Sequence, residues 1–192
     1  MPRRITIIDG HPDPSPGRFC HALANAYAAG AAESGHEVRT LPIARLNIPV
    51  LRSRTDWENG QIEPDVRAAQ EAVRFADHIV IIYPLWLGAM PALLKAFFEQ
   101  VLRPGFAIKK EMSLSAGLLT GKSARIIVTM GMPGLVYRWF FRAHSLKSLE
   151  RNILKFVGIK PIAETIIGNV EGGPKVAAKW LAKVHQLGRN AE

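Results

Sequence analysis

The run DHIVIIY at residues 77–83 decides the fold. After its first two residues every side chain is apolar or aromatic, with no polar alternation. A strand of that composition is covered on both faces, as the central strand of a parallel sheet is. Working outward, RITIIDG at residues 4–10 is a second short apolar run, stopped by Gly10, and reads as a buried first strand. SARIIVTM at 123–130 reads as the fourth strand, and residues 36–41 and 160–168 as the second and fifth.

Between these runs the period changes. Residues 19–34 carry apolar or small side chains at 19, 22, 23, 26, 27, 30 and 31, which predicts a helix. Its stripe is mostly alanine and glycine, so it can lie close against a sheet. Ser15-Pro16 has the chemistry of an N-cap and first helical residue, and Gly35 that of a stop. Further helices are predicted over 64–76, with Val66, Ala69, Val73 and Ala76 on one face, and over 91–102, from Pro91 to Pro104-Gly105. Another spans 145–157, with Leu146, Leu149, Ile153, Phe156 and Val157 inward and Gly158 as its cap, and a last one spans 174–187. Residues 42–63 have no clean period and read as a long surface connection with room for a short turn of helix.

Strands alternating with helices demand a parallel sheet with helices on both faces. Five strands fit the α/β, flavodoxin-like order 2-1-3-4-5. Ligands of such sheets sit at the carboxyl ends of the strands, beside the switch point between the first and third. No repeat or linker divides the 192 residues, so a single domain is expected over 1–192.

Composition narrows the function. Net charge is +9, yet the longest stretch of adjacent cations is two residues, at Arg3-Arg4 and Lys109-Lys110. A basic surface attracts phosphates, but no basic stripe or recognition motif points to nucleic acid. No apolar run reaches the roughly 18 residues of a membrane span. The N-terminus does not read as a signal peptide. The single cysteine, Cys20, excludes an internal disulfide and a multi-cysteine metal site. Both points favour the cytoplasm. The six histidines lack metal-ligand spacing, so no metal is expected, and no G-x-S-x-G elbow signals a hydrolase. Gly117-Leu-Leu-Thr-Gly121-Lys122-Ser123 imitates a P-loop. It is one residue short, with Ala116 where the first glycine belongs, and it precedes a strand instead of opening a helix.

In the predicted topology the loops after strands one, three and four share a rim. The first, residues 10–18, offers a helix N-terminus, the Ser15 hydroxyl, and Arg18 and His11 as cations, the parts that hold a phosphate. A proline-rich turn with an ordinary cap is the plainer reading. The second, residues 83–91, sets Trp86 and Leu87 between two prolines, a wall for a planar heterocycle or simply a helix lead-in. The third, residues 129–134, has two glycines that allow close approach to a ligand. After it, Tyr137, Trp139, Phe140 and Phe141, with Arg138, Arg142 and His144, either close over the rim or form a dimer contact.

The motifs Ile-Ile-Asp-Gly-His-Pro-Asp-Pro (7–14), Phe19-Cys-His-Ala22-Leu, Gly35-His-Glu-Val and Tyr83-Pro-Leu-Trp-Leu-Gly-Ala-Met-Pro-Ala-Leu-Leu-Lys95 together resemble the NAD(P)H:quinone reductase and modulator-of-drug-activity family. Arg103-Pro-Gly-Phe-Ala107 and Gly117-Leu-Leu-Thr-Gly-Lys122 extend the likeness, which reaches about Tyr137. The resemblance implies a flavin-dependent NAD(P)H oxidoreductase, reducing quinones or similar aromatic acceptors by ping-pong hydride transfer, and a homodimer. It implies FAD, with FMN as the alternative. Position by position it places flavin contacts at His11, Phe19, Cys20, Ala22, Pro84, Leu85, Trp86, Leu87, Thr129, Met130, Gly131 and Met132. It also implies catalytic roles for Tyr137, stabilising charge near flavin N1 and O2, and for His144, exchanging a proton with the acceptor. A flavodoxin-like electron carrier and an ancillary regulatory flavoprotein of a potassium-efflux system are the other readings. The first loop is about two residues longer than the family pattern, and Cys20 stands where asparagine is common.

Overall fold

The computed structural model describes residues 1–110 and 117–192; Ala116 of the P-loop comparison lies outside the described residues. Five strands form one parallel sheet: β1 (Arg4–Asp9), β2 (Glu37–Pro42), β3 (His78–Pro84), β4 (Ser123–Thr129) and β5 (Ile162–Ile167). Their order is β2-β1-β3-β4-β5. The register runs Ile5↔His78 and His78↔Ser123 at the amino end and Pro84↔Thr129 at the carboxyl end, so β1, β3 and β4 finish side by side.

Every residue of β3 is buried, as its unbroken apolar composition requires. Ile79, Ile81 and Tyr83 enter the core on one face, and Val80 and Ile82 the core on the other. The first core is closed by α3 (Pro64–Phe75) and α4 (Ala92–Val101); the second by α1 (Phe19–Glu33) and α7 (Pro174–Asn190). The small-residue stripe of α1 serves a helix as well as the sheet. A Cβ on Gly30 would lie 2.0 Å from the His185 carbonyl oxygen, and one on Gly188 2.2 Å from that of Tyr27. The two helices touch backbone to backbone there, and only glycine permits it.

Local expectations are corrected at the start of α1 and over 145–157, while residues 42–63 hold the short turn of helix for which room was left. Helix α1 begins at Phe19, with Arg18 at the cap position, not at Ser15-Pro16. The Asp13 carboxylate has captured the Ser15 N–H at 2.8 Å, a local turn that competes with helix entry. Residues 42–63 contain a 3₁₀ turn (Ile43–Arg45) and a short α2 (Arg54–Asn59) capped by Ser53. The helix expected over 145–157 is two pieces, α6 (His144–Ser148) and a π-helical stretch (Leu149–Lys155). The wider turn explains the difference. It buries Leu149 and Leu154, five residues apart, leaves Ile153 half-buried and leaves Phe156 56% exposed. An unpredicted helix, α5 (Gly134–Trp139), follows β4.

Candidate functional site

The carboxyl ends of β1, β3 and β4 carry the three unusual loops to one edge, and specific contacts tie them together. The His11 and Trp86 rings meet edge to face at 5.8 Å between centroids. The Leu85 N–H donates to the Thr129 carbonyl at 2.7 Å. Cys20 Sγ lies 3.4 Å from Thr129 Oγ1, joining the first turn of α1 to the end of β4.

Under the first loop lies a polar network that sequence reading missed. Asp9, the last residue of β1, is 4% exposed. One carboxylate oxygen meets His21 Nδ1; the other accepts the His11 N–H at 3.3 Å. His21 Nε2 faces the Asp13 carbonyl oxygen at 2.9 Å. Both imidazole nitrogens thus point at acceptors, one of them a carboxylate. With Asp9 ionised, the geometry is satisfied by an imidazolium donating twice. The only sequence signal was an acidic residue closing an otherwise apolar strand.

The same network orients His11. Its Nδ1 accepts the Asp13 N–H at 3.1 Å, so the neutral ring carries its proton on Nε2. Burial, reinforced by the His21 charge, holds the His11 pKa below its ordinary value. His11 is therefore a neutral donor, not the cation expected. Arg18 is also less available than expected, because its guanidinium is paired with Asp13. Hydrogen bonds from Ser15 and the Arg18 pair keep the Asp13 carboxyl well below the usual carboxylate range. Ser15 itself is exposed.

Helix α1 has no side-chain cap and no acid in its first turn. Among the described residues, the N–H groups of Phe19, Cys20 and His21 have no acceptor, the condition under which a helix N-terminus receives a phosphate. Cys20 contributes there through its backbone. Its side chain is 1% exposed, and burial pushes the thiol pKa up to about 12, so it is inert. Ala22 is half-buried on the next turn.

The second loop is a two-residue hairpin. Trp86 and Ala89 exchange backbone hydrogen bonds, both at 2.9 Å, and Leu87 (φ 47°) and Gly88 (φ 78°) form its tip. Leucine in the left-handed region is strained, and such residues concentrate at ligand sites. Leu87 is fully exposed and Trp86 is 49% exposed. Pro84 ends β3 and is buried; Leu85 is half-buried at the base of the loop. In the third loop the Met130 side chain is buried and its N–H bonds to Ile167. The N–H groups of Gly131 and Met132 have no acceptor among the described residues. Unclaimed amides thus come from the helix start and from the third loop, beside an exposed indole. That donor set fits a phosphorylated planar heterocycle.

The two proposed catalytic side chains part company. Tyr137 is 2% exposed. Its hydroxyl lies 2.7 Å from Ser145 Oγ and accepts the Leu146 N–H at 3.3 Å. It fastens α5 to α6, so its hydroxyl already has partners within the protein. His144 is exposed at the start of α6. Two consecutive non-glycine residues with positive φ, Arg142 (52°) and Ala143 (49°), turn the chain immediately before it. In the P-loop imitation Lys122 donates to the Arg74 carbonyl at 2.9 Å and to that of Ala76, at the end of α3.

A family model described as a flavodoxin-like fold matches residues 3–189. The chain is 30% identical over 168 residues to a protein of Haemophilus influenzae described as an uncharacterized NAD(P)H oxidoreductase, covering 85% of this chain and 83% of that one. It is 31% identical over 156 residues to FMN-dependent NADH:quinone oxidoreductase 3 of Pseudomonas aeruginosa, covering 78% and 71%. Among solved structures, Smu.1420 of Streptococcus mutans superposes with a TM-score of 0.82 at 28% identity, covering 97% of this chain and 99% of that one. With the strand order and the three-loop rim, these likenesses establish that the chain belongs to the flavodoxin-like NAD(P)H:quinone reductase family.

Proposed function

We propose that this chain is an FMN-dependent NAD(P)H oxidoreductase that reduces quinone-like aromatic acceptors by a ping-pong sequence. The observation that carries the reading is the set of unclaimed backbone N–H groups on the rim, at the uncapped start of α1 and at Gly131-Met132, beside the exposed Trp86. FMN replaces the FAD expected from the resemblance, because the Pseudomonas relative is named for FMN.

When bound, the flavin supplies hydride chemistry that no side chain can. The protein supplies position and field. The α1 amides and the His11 Nε2–H hold the phosphate, and Phe19 and Ala22 stand beside them. Trp86 and Leu87 form the wall for the ring, and the Gly131 and Met132 amides donate toward the edge where negative charge collects. His144 exchanges a proton with the acceptor, and Tyr137 positions α5 and α6 around it. A homodimer is part of the proposal: Trp139 and Phe140 are 75% and 78% exposed, an apolar surface that a second copy would cover.

Steady-state NAD(P)H oxidation over a grid of quinone concentrations tests this reading. Parallel double-reciprocal lines are expected, with His144→Gln lowering kcat. Folded, flavin-loaded protein that consumes no NAD(P)H with any quinone contradicts it.

A further inference from the structure

Behind the third loop lies a cleft of about 750 Å³ that the flavin reading does not use. Its walls are α5, the end of β5 and the first turns of α7. Arg138 comes from α5; Lys175, Lys179 and Trp180 come from α7; Asn169 lies in the loop after β5. Gly134 and Gly168 line it as well, so bare backbone is available at that point. A Cβ on Gly168 would lie 2.2 Å from the Gly134 nitrogen, so the absence of side chains keeps two strands of backbone in contact.

The electrostatics are one-sided. Neither lysine makes an ion pair among the described residues. Among the described residues Arg138 has one loose ion-pair partner, Glu164, at 3.8 Å. The 17-residue helix α7 starts at a glycine with no side-chain cap and has no acid in its first turn, which adds a partial positive charge at the same end. Trp180 is half-buried and offers an aromatic surface beside the cations. Cations, an aromatic face and an amide side chain in one cleft form a set suited to a nucleoside phosphate.

The cleft adjoins the flavin rim. The Asn169 N–H donates to the Met132 carbonyl at 3.2 Å and the Val170 N–H to that of Met130 at 3.3 Å. Met132 belongs to the rim loop, and Gly134, two residues on, belongs to the cleft. We propose that this cleft holds the adenosine phosphate end of the dinucleotide cosubstrate, and that it selects NADPH over NADH. The inference rests on the NAD(P)H reading above. FMN has no adenosine half of its own, which leaves the cleft to the cosubstrate. Three cations exceed the two charges of a bare diphosphate; a 2′-phosphate supplies the remainder.

The test uses flavin-loaded protein and two probes, adenosine 2′,5′-bisphosphate and ATP, followed by calorimetry and Trp180 fluorescence. Wild-type protein is expected to bind the 2′,5′-bisphosphate more tightly than ATP and to show competition between that probe and NADPH. Lys175→Gln/Lys179→Gln should weaken probe binding about tenfold, on the scale of two exposed ion pairs. It should raise the KM for NADPH more than that for NADH and leave kcat near wild type. Arg138→Gln, on a different helix, should act in the same direction. Binding of the probe without competition against NADPH, or equal binding by wild type and both variants, overturns the proposal. The visible flavin spectrum separates the two readings. Yellow protein with an indifferent cleft removes this inference alone, whereas protein that takes up no flavin removes the reading beneath it.

Discussion

The Asp9–His21 pair makes a quantitative prediction, because its two members are 6% and 15% exposed and each has its partner in place. Replacing His21 by Leu leaves a buried carboxylate facing an apolar side chain. Breaking a buried pair from one side costs about 3–5 kcal/mol. Partial solvent access at His21 puts the expectation at the low end, about 3 kcal/mol. Asp9→Asn is milder, about 1 kcal/mol, because the amide oxygen still accepts the His11 N–H and His21 relaxes to a neutral tautomer. In the double variant no charge is stranded, so the loss should be about 2 kcal/mol where additivity predicts about 4, a coupling of about 2 kcal/mol. Urea unfolding of the flavin-free proteins measures each corner. Flavin titration should show about tenfold weaker binding for His21→Leu, since the Asp13 carbonyl loses the donor that holds the first loop. Single losses that add to the double within about 0.5 kcal/mol would refute the charged-pair assignment.

Other consequences are as direct. Burial, aided by the Arg3 and Arg125 charges, lowers the pKa of His78 to about 4, and its Nδ1 is held by Ser123 Oγ at 2.8 Å. The unfolded chain takes up that proton near pH 6.5, so the stability is complete above about 6.5 and is lost as pH falls toward 4. The total is about 3 kcal/mol, and urea midpoints across that window that do not move would contradict it. Tyr137→Phe should cost about 1 kcal/mol in thermal unfolding while flavin content stays unchanged; a variant that purifies without flavin would restore Tyr137 to direct flavin contact. Gly168→Ala should displace the third loop, since its Cβ would lie 2.7 Å from the Met132 carbonyl oxygen as well as against Gly134. Overpacking costs about 1–3 kcal/mol, and flavin affinity, read by fluorescence titration, should fall with it.

The sheet was readable because its signal is local. A run such as IVII in β3 has one physical explanation, burial on both faces, and the alternation of strand and helix then dictates parallel neighbours. The two-part helix after β4 was not readable, because a π-helical turn appears only when Leu149 and Leu154 are seen to reach the same core. The rim loops were legible as unusual, but their electrostatics were not. The Arg18 charge is spent on Asp13, and His11 is a neutral donor because Asp13 and His21 fix its tautomer and field. The resemblance placed Tyr137 in the mechanism by spacing alone, whereas burial and Ser145 give its hydroxyl a structural partner. Asp9 and His21 escaped notice because a carboxylate at a strand end and a histidine on a helix acquire meaning only when folding brings twelve residues of separation down to a hydrogen bond.

Flavin binding at the rim is measured most directly by titration of flavin-free protein with FMN, followed by mass analysis of the pigment that wild-type protein releases on denaturation. Saturable quenching of flavin fluorescence is expected, weakened by Leu87→Gly/Trp86→Ala at the rim, with a released mass equal to that of FMN. A chain that leaves FMN fluorescence unquenched and releases no pigment would show that this rim is not a flavin site.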